Sequence, residues 1–108
     1  MYGWLNLYLN QGIKMFIFSL TYLKPINEVE KYLPQHIDYL ERYYQSGHFI
    51  ASGRKVPRKG GVILCCADSR EKAMSIIQED PFYIHHIAEY ELIEFIPTKY
   101  AKEFEVFI

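Results

Sequence analysis

Between Met15 and Leu23, Phe16, Phe18, Leu20 and Tyr22 fall on one side of the chain, and Ile17, Ser19, Thr21 and Leu23 on the other. That two-residue period predicts a β-strand. Lys24-Pro25-Ile26-Asn27 reads as a loop. The spacing then lengthens: Val29, Leu33, Ile37, Leu40 and Tyr44 form one helical stripe between Glu28 and Ser46, and Gly47 is a natural terminator. Pro34 interrupts this run. Because an interior proline costs about 3 kcal/mol, the expectation is either a short turn ahead of it or a helix starting near Leu33 with Pro34 in first position. Phe49 to Val56 is a second strand, kinked at Ser52-Gly53, and residues 54–61 turn the corner into a third from Val62 to Ala67. Asp68 or Ser69 caps a second helix that runs to about Glu79 with Ala73, Ile76 and Ile77 inward. Asp80-Pro81-Phe82 ends it. His86 to Ile96 is a fourth strand stopped by Pro97, and the alternation of Phe104, Val106 and Ile108 predicts a short fifth.

The order βαββαβ predicts an α+β, ferredoxin-like fold with an antiparallel sheet in strand order 4-1-3-2. Strands one and three carry apolar residues on both faces, as central strands do. Strand four carries Glu89, Glu91 and Glu94, which an edge tolerates. Right-handed crossovers put both helices on one sheet face. The other face is left apolar and bare, so a second copy of the same sheet is the simplest cover and a homodimer is expected.

Composition agrees. With 108 residues the chain is one domain's worth, and ten Tyr and seven Phe supply more ring surface than one subunit can hide. A net charge of −1 gives no pull toward nucleic acid or a membrane surface. Cys65 and Cys66 are neighbours that point to opposite faces, poorly placed to pair or to chelate one ion. They read as two reduced, buried thiols of a cytoplasmic protein. Residues 1–14, with Trp4 and Leu7, are too short to span a bilayer and lack a signal-peptide pattern. They are read as an upstream extension, from a tag or an early start codon, ahead of a single domain at 15–108.

The expected topology brings distant residues to one end of the sheet: His36, the turn after strand two, Asp80, and the His85-His86 pair. His36 is expected in the first turns of its helix, about 60° from the stripe centre at about 100° per residue. There the dipole favours a neutral ring suited to general-base work; an idle, hydrogen-bonded histidine fits equally. Asp80 is expected at the unfavourable end of the second helix, either capping the turn at Pro81 or orienting an imidazole. Arg54, Lys55, Arg58 and Lys59 put four positive charges into six residues. They form a solvated hairpin or a lure for a carboxylate or phenolate, with Arg54 and Arg58 as candidate substrate ligands. His85 and His86 are further candidates, one of them facing inward if strand four has begun. A metal would need a third ligand in register, and no phosphate loop, Cys-x-x-Cys or Gly-x-Ser-x-Gly occurs. Neither metal nor cofactor is therefore expected.

Pro34-Gln35-His36-Ile37-Asp38-Tyr39-Leu40, Gly47-His48-Phe49-Ile50-Ala51-Ser52-Gly53, Gly60-Gly61, Ala73 and Glu79-Asp80-Pro81-Phe82 occur in order over Phe16 to Phe95. In these the chain resembles the YciI-like (YCII-related) family. The resemblance implies a dimeric α+β barrel of two back-to-back sheets. It also implies a histidine–aspartate pair as active site, at His36 and Asp80, and lyase-type chemistry such as elimination from a halogenated ring. The chain departs from the family at Arg54, where proline more often follows Ser-Gly, and this changes the pocket rim. Three functions are thus in view: an acid/base enzyme acting on a small, anionic molecule, a non-catalytic dimeric module that binds a small ligand, and a cofactor-free monooxygenase. The last rests on fold analogy.

Overall fold

The computed structural model describes residues 14–108; the expected upstream extension falls outside them except for Lys14, which begins the first strand. The elements are β1 (Lys14–Tyr22), α1 (Ile26–Gln45), β2 (Phe49–Arg54), β3 (Gly60–Ala67), α2 (Arg70–Ile77), α3 (Pro81–Ile84), β4 (Ala88–Phe95) and a 3₁₀ helix (Lys102–Phe107). The sheet is antiparallel with order β2-β3-β1-β4, so β1 and β3 are central as expected. Phe16, Phe18 and Leu20 lie opposite Cys65, Ile63 and Gly61 on one side, and opposite Glu94, Leu92 and Tyr90 on the other. This face packs with Val29 and Tyr39 of α1 and with Ala73, Ile76 and Ile77 of α2 into one core. Ser69 caps α2 by accepting from the Lys72 amide.

Four local expectations are corrected. The first helix is one continuous twenty-residue element with Pro34 inside it. Pro34 and Glu30 are both exposed, so the backbone site that loses its intrahelical bond lies toward water. The predicted stripe holds at Val29, Leu33, Leu40 and Tyr44, which lie in or against the core, but Ile37 is 47% exposed, and His36 and Tyr39 are buried beside them. The fourth strand starts at Ala88, not His86, because His86 adopts φ 56 in a turn. The tail forms a 3₁₀ helix rather than a fifth strand: three residues per turn bring Phe104 and Phe107 together, with ring centroids 5.1 Å apart. Both cysteines are free, but only Cys65 is buried, and burial pushes its thiol up to about 12.

The second sheet face is apolar over part of its area and, among the described residues, partly exposed, although Met15 on it is fully buried. Leu64, Ile17 and Ile93 stand in register across it, and Val62, Ile93 and Phe95 are 39%, 42% and 40% exposed. Among the described residues no helix is long and apolar enough to cross a membrane.

Gly60 fixes the turn end of the sheet. A Cβ there would sit 1.7 Å from the backbone oxygen of Leu20, a neighbour that cannot swing aside. Gly60→Ala should therefore cost about 1–3 kcal/mol or more, measured by chemical denaturation. Gly53→Ala, with nothing within 4 Å of its Cβ, is the matched control.

Candidate functional site

His36 lies in the middle of α1, not near its N-terminus, so the helix dipole does little to its charge. Its ring is stacked on Phe82, with centroids 4.1 Å apart and planes 4° from parallel. Asp80 is not stranded at the wrong end of α2. It is the N-cap of α3, with Pro81 in first position, where a carboxylate is favoured.

Asp80 is fully buried and accepts three hydrogen bonds. Its Oδ1 takes the Phe82 amide at 2.9 Å and His36 Nδ1 at 2.8 Å, and its Oδ2 takes the Tyr90 hydroxyl. One carboxylate thus ties α1, α3 and β4 together. An ionised carboxylate can only accept, so the proton of this contact resides on His36 Nδ1, and in the neutral ring Nε2 is then the nitrogen with the lone pair. No buried side-chain nitrogen or oxygen lacks a partner among the described residues. Among the described residues Nε2 has no protein partner, so it opens onto accessible space.

That space is a cavity of about 400 Å³ whose wall includes His36. Leu33, Ile37 and Leu40 of α1 line one side, and Leu20 and Ile63 of the sheet line the other. Arg54 and Arg58 supply positive charge on the same wall. Arg58 Nη1 lies 3.4 Å from Glu30 Oε2, and Tyr22 and then Glu30 hold the guanidinium above its ordinary value. Arg54 has no carboxylate within ion-pair distance among the described residues. Ser52, also on the wall, shares a 2.7 Å hydrogen bond with the Tyr44 hydroxyl.

Two phenols lie beneath the pair. Tyr39 donates to the Ile76 carbonyl at 2.8 Å, and burial, followed by the Asp80 charge, pushes its hydroxyl well up. Tyr90 is raised for the same two reasons in the same order. Both keep their protons at ordinary pH and act as donors.

The candidates named from sequence divide accordingly. His36 and Asp80 touch, and Arg54 and Arg58 share the cavity with His36. His85 and His86 are exposed and are not part of the wall. Strand four has not begun at either of them, and the His85 ring stacks instead on Tyr32 at 4.6 Å. Among the described residues no group of three or more His, Cys, Asp or Glu is placed to hold a metal ion. Sequence reasoning missed Tyr90 and Phe82. The alternation of β4 carried the signal for the first, since Tyr90 stands opposite Leu20 on the helix-covered face.

The YCII-related domain matches residues 15–96. No curated protein is similar enough to count as a match. Among solved structures the chain is similar to 5-chloro-2-hydroxyhydroquinone dehydrochlorinase from Burkholderia phenoliruptrix AC1100, in complex with 2,5-dihydroxybenzoquinone. That match has 16% identity and TM-score 0.66, and covers 82% of this chain and 97% of the other. It is also similar to SnoaB, a cofactor-independent oxygenase from Streptomyces nogalater, at 12% identity and TM-score 0.50, covering 84% and 98%. Both likenesses describe the fold, the α+β barrel type.

Proposed function

The chain belongs to the YCII-related domain family, and we propose that within it the protein is a small-molecule enzyme with His36 as general acid/base and Asp80 as its orienting carboxylate. The observation that carries this reading is the buried Asp80 bonded to one ring nitrogen of His36, at 2.8 Å, while the residue lines an apolar cavity. In the proposed reaction Nε2 takes a proton from the substrate. Asp80 stabilises the resulting imidazolium through Nδ1–H and stays ionised. The same proton then returns to product or to a leaving group. Arg54 and Arg58 would hold an anionic group such as a carboxylate or phenolate, and the aliphatic wall would take its apolar body. Since a dehydrochlorinase has the same fold, lyase-type elimination is the first chemistry to test. In our reading the working unit is a homodimer joined through the second sheet face.

The test is a panel of halogenated and hydroxylated aromatic acids and quinols in deuterated water, followed by mass spectrometry. Turnover or deuterium uptake by wild type and its loss in His36→Ala is the expected result. Compounds that bind equally well to both proteins, with no chemistry in either, would overturn it in favour of a ligand-binding module.

A further inference from the structure

We propose that Tyr90 is the third member of the His36–Asp80 pair, a positioning residue whose hydroxyl sets how much of the Asp80 charge is left for the imidazole. This rests on the proposed role of His36. Asp80 is fully buried, and among the described residues the Tyr90 hydroxyl is the donor to Oδ2, while Oδ1 already accepts two N–H groups. The phenol is held in place for this. Its ring meets Phe18 edge-on at 6.1 Å and Tyr83 edge-on at 6.0 Å. Tyr39 does not substitute for it, because the Tyr39 hydroxyl is committed to the Ile76 carbonyl.

A hydrogen bond to a carboxylate stabilises its charged form and draws charge toward the donor. Donation from Tyr90 therefore weakens the pull of Asp80 on a proton arriving at His36. The pair binds that proton as one unit, so loss of the donor raises the pH at which it is taken up. The other polar and charged groups around His36 among the described residues are Glu30 and Tyr39 on α1, Tyr22 on β1, Ser52 and Arg54 on β2 and Arg58 in the turn. None of them bonds to Asp80.

The experiment is a nuclear magnetic resonance titration of the His36 ring in ¹⁵N-labelled full-length protein, which needs no ligand. Tyr90→Phe should raise the titration midpoint by about half a pH unit or more. Site-specific 3-fluorotyrosine at position 90 keeps the shape, donates more strongly and should lower the midpoint. A purely packing role would leave the fluorinated protein unmoved, and this variant remains informative if Tyr90→Phe does not fold. An unshifted midpoint in both Tyr90 variants, with a shift in Asp80→Asn, would overturn the role of Tyr90 and leave the pair intact. No shift in Asp80→Asn either would remove the pair itself.

Discussion

Asp80→Asn should leave the protein folded and reduce its proton-transfer activity by about 100-fold or more, whereas Asp80→Ala should destabilise it by about 3 kcal/mol or more. The difference follows from the three donors that converge on this carboxylate. A carboxamide can still accept from the Phe82 amide and from His36 with its oxygen. Its NH₂ group can donate to the Tyr90 hydroxyl, which reverses its role because a phenol both donates and accepts. Hydrogen bonding is thus largely kept while the charge that stabilises an imidazolium is lost. Alanine keeps neither: it leaves buried donors unpaired, at about 1–3 kcal/mol each, and removes the cap of α3. His36→Ala should lose as much activity as Asp80→Asn, and the double variant little more, because two groups acting as a unit cannot be lost twice. Thermal melts beside the deuterium-uptake assay check all four variants. Full activity in Asp80→Asn would remove the carboxylate from the mechanism.

Ile93→Glu should convert a dimer into a monomer at micromolar concentration. Leu64, Ile17 and Ile93 form a row straight across the second sheet face. In a back-to-back dimer, each row would meet its symmetry mate. A glutamate placed there would be an unpaired buried charge, costing about 3–5 kcal/mol per interface. That corresponds to a dissociation constant at least about 100-fold weaker. Ile93 is on an edge strand and 42% exposed in the single chain, so the monomer should stay folded. Sedimentation of wild type and variant decides it. A dimeric variant, or a monomeric wild type, would sink this assembly.

Strand order was legible from the βαββαβ order, with the doubly apolar strands as its check; topology brought His36 and Asp80 to one end of the sheet, and the family resemblance singled them out as a pair. The orientation of α1 was legible only in part. Val29, Leu33, Leu40 and Tyr44 pack in or against the core, but Ile37 turns out to line the cavity, and the buried positions include a histidine and a tyrosine. Tyr39 and His36 are buried with polar atoms satisfied by Ile76 and Asp80, partners that lie 37 and 44 residues away and leave no local trace. The tail failed for a different reason: Phe104, Val106 and Ile108 alternate, but a 3₁₀ turn pairs positions three apart just as well. His85 and His86 were misjudged by a two-residue error in the start of β4, the kind of boundary a propensity argument places least well.

The two faces of α1 answer to different constraints. Val29 and Tyr39 are buried in the core, Leu33 and Leu40 both pack against it and line the cavity, and Ile37, 47% exposed, lines the cavity without packing against that core. Exchanges among aliphatic residues at position 37 can therefore reshape the volume offered to a ligand with little disturbance to the packing of helix on sheet. A lineage built on this helix can diverge in what it accepts while its architecture is inherited unchanged. His36, buried on the same side of the helix as Val29 and Tyr39, would be passed on with the architecture rather than with the substrate.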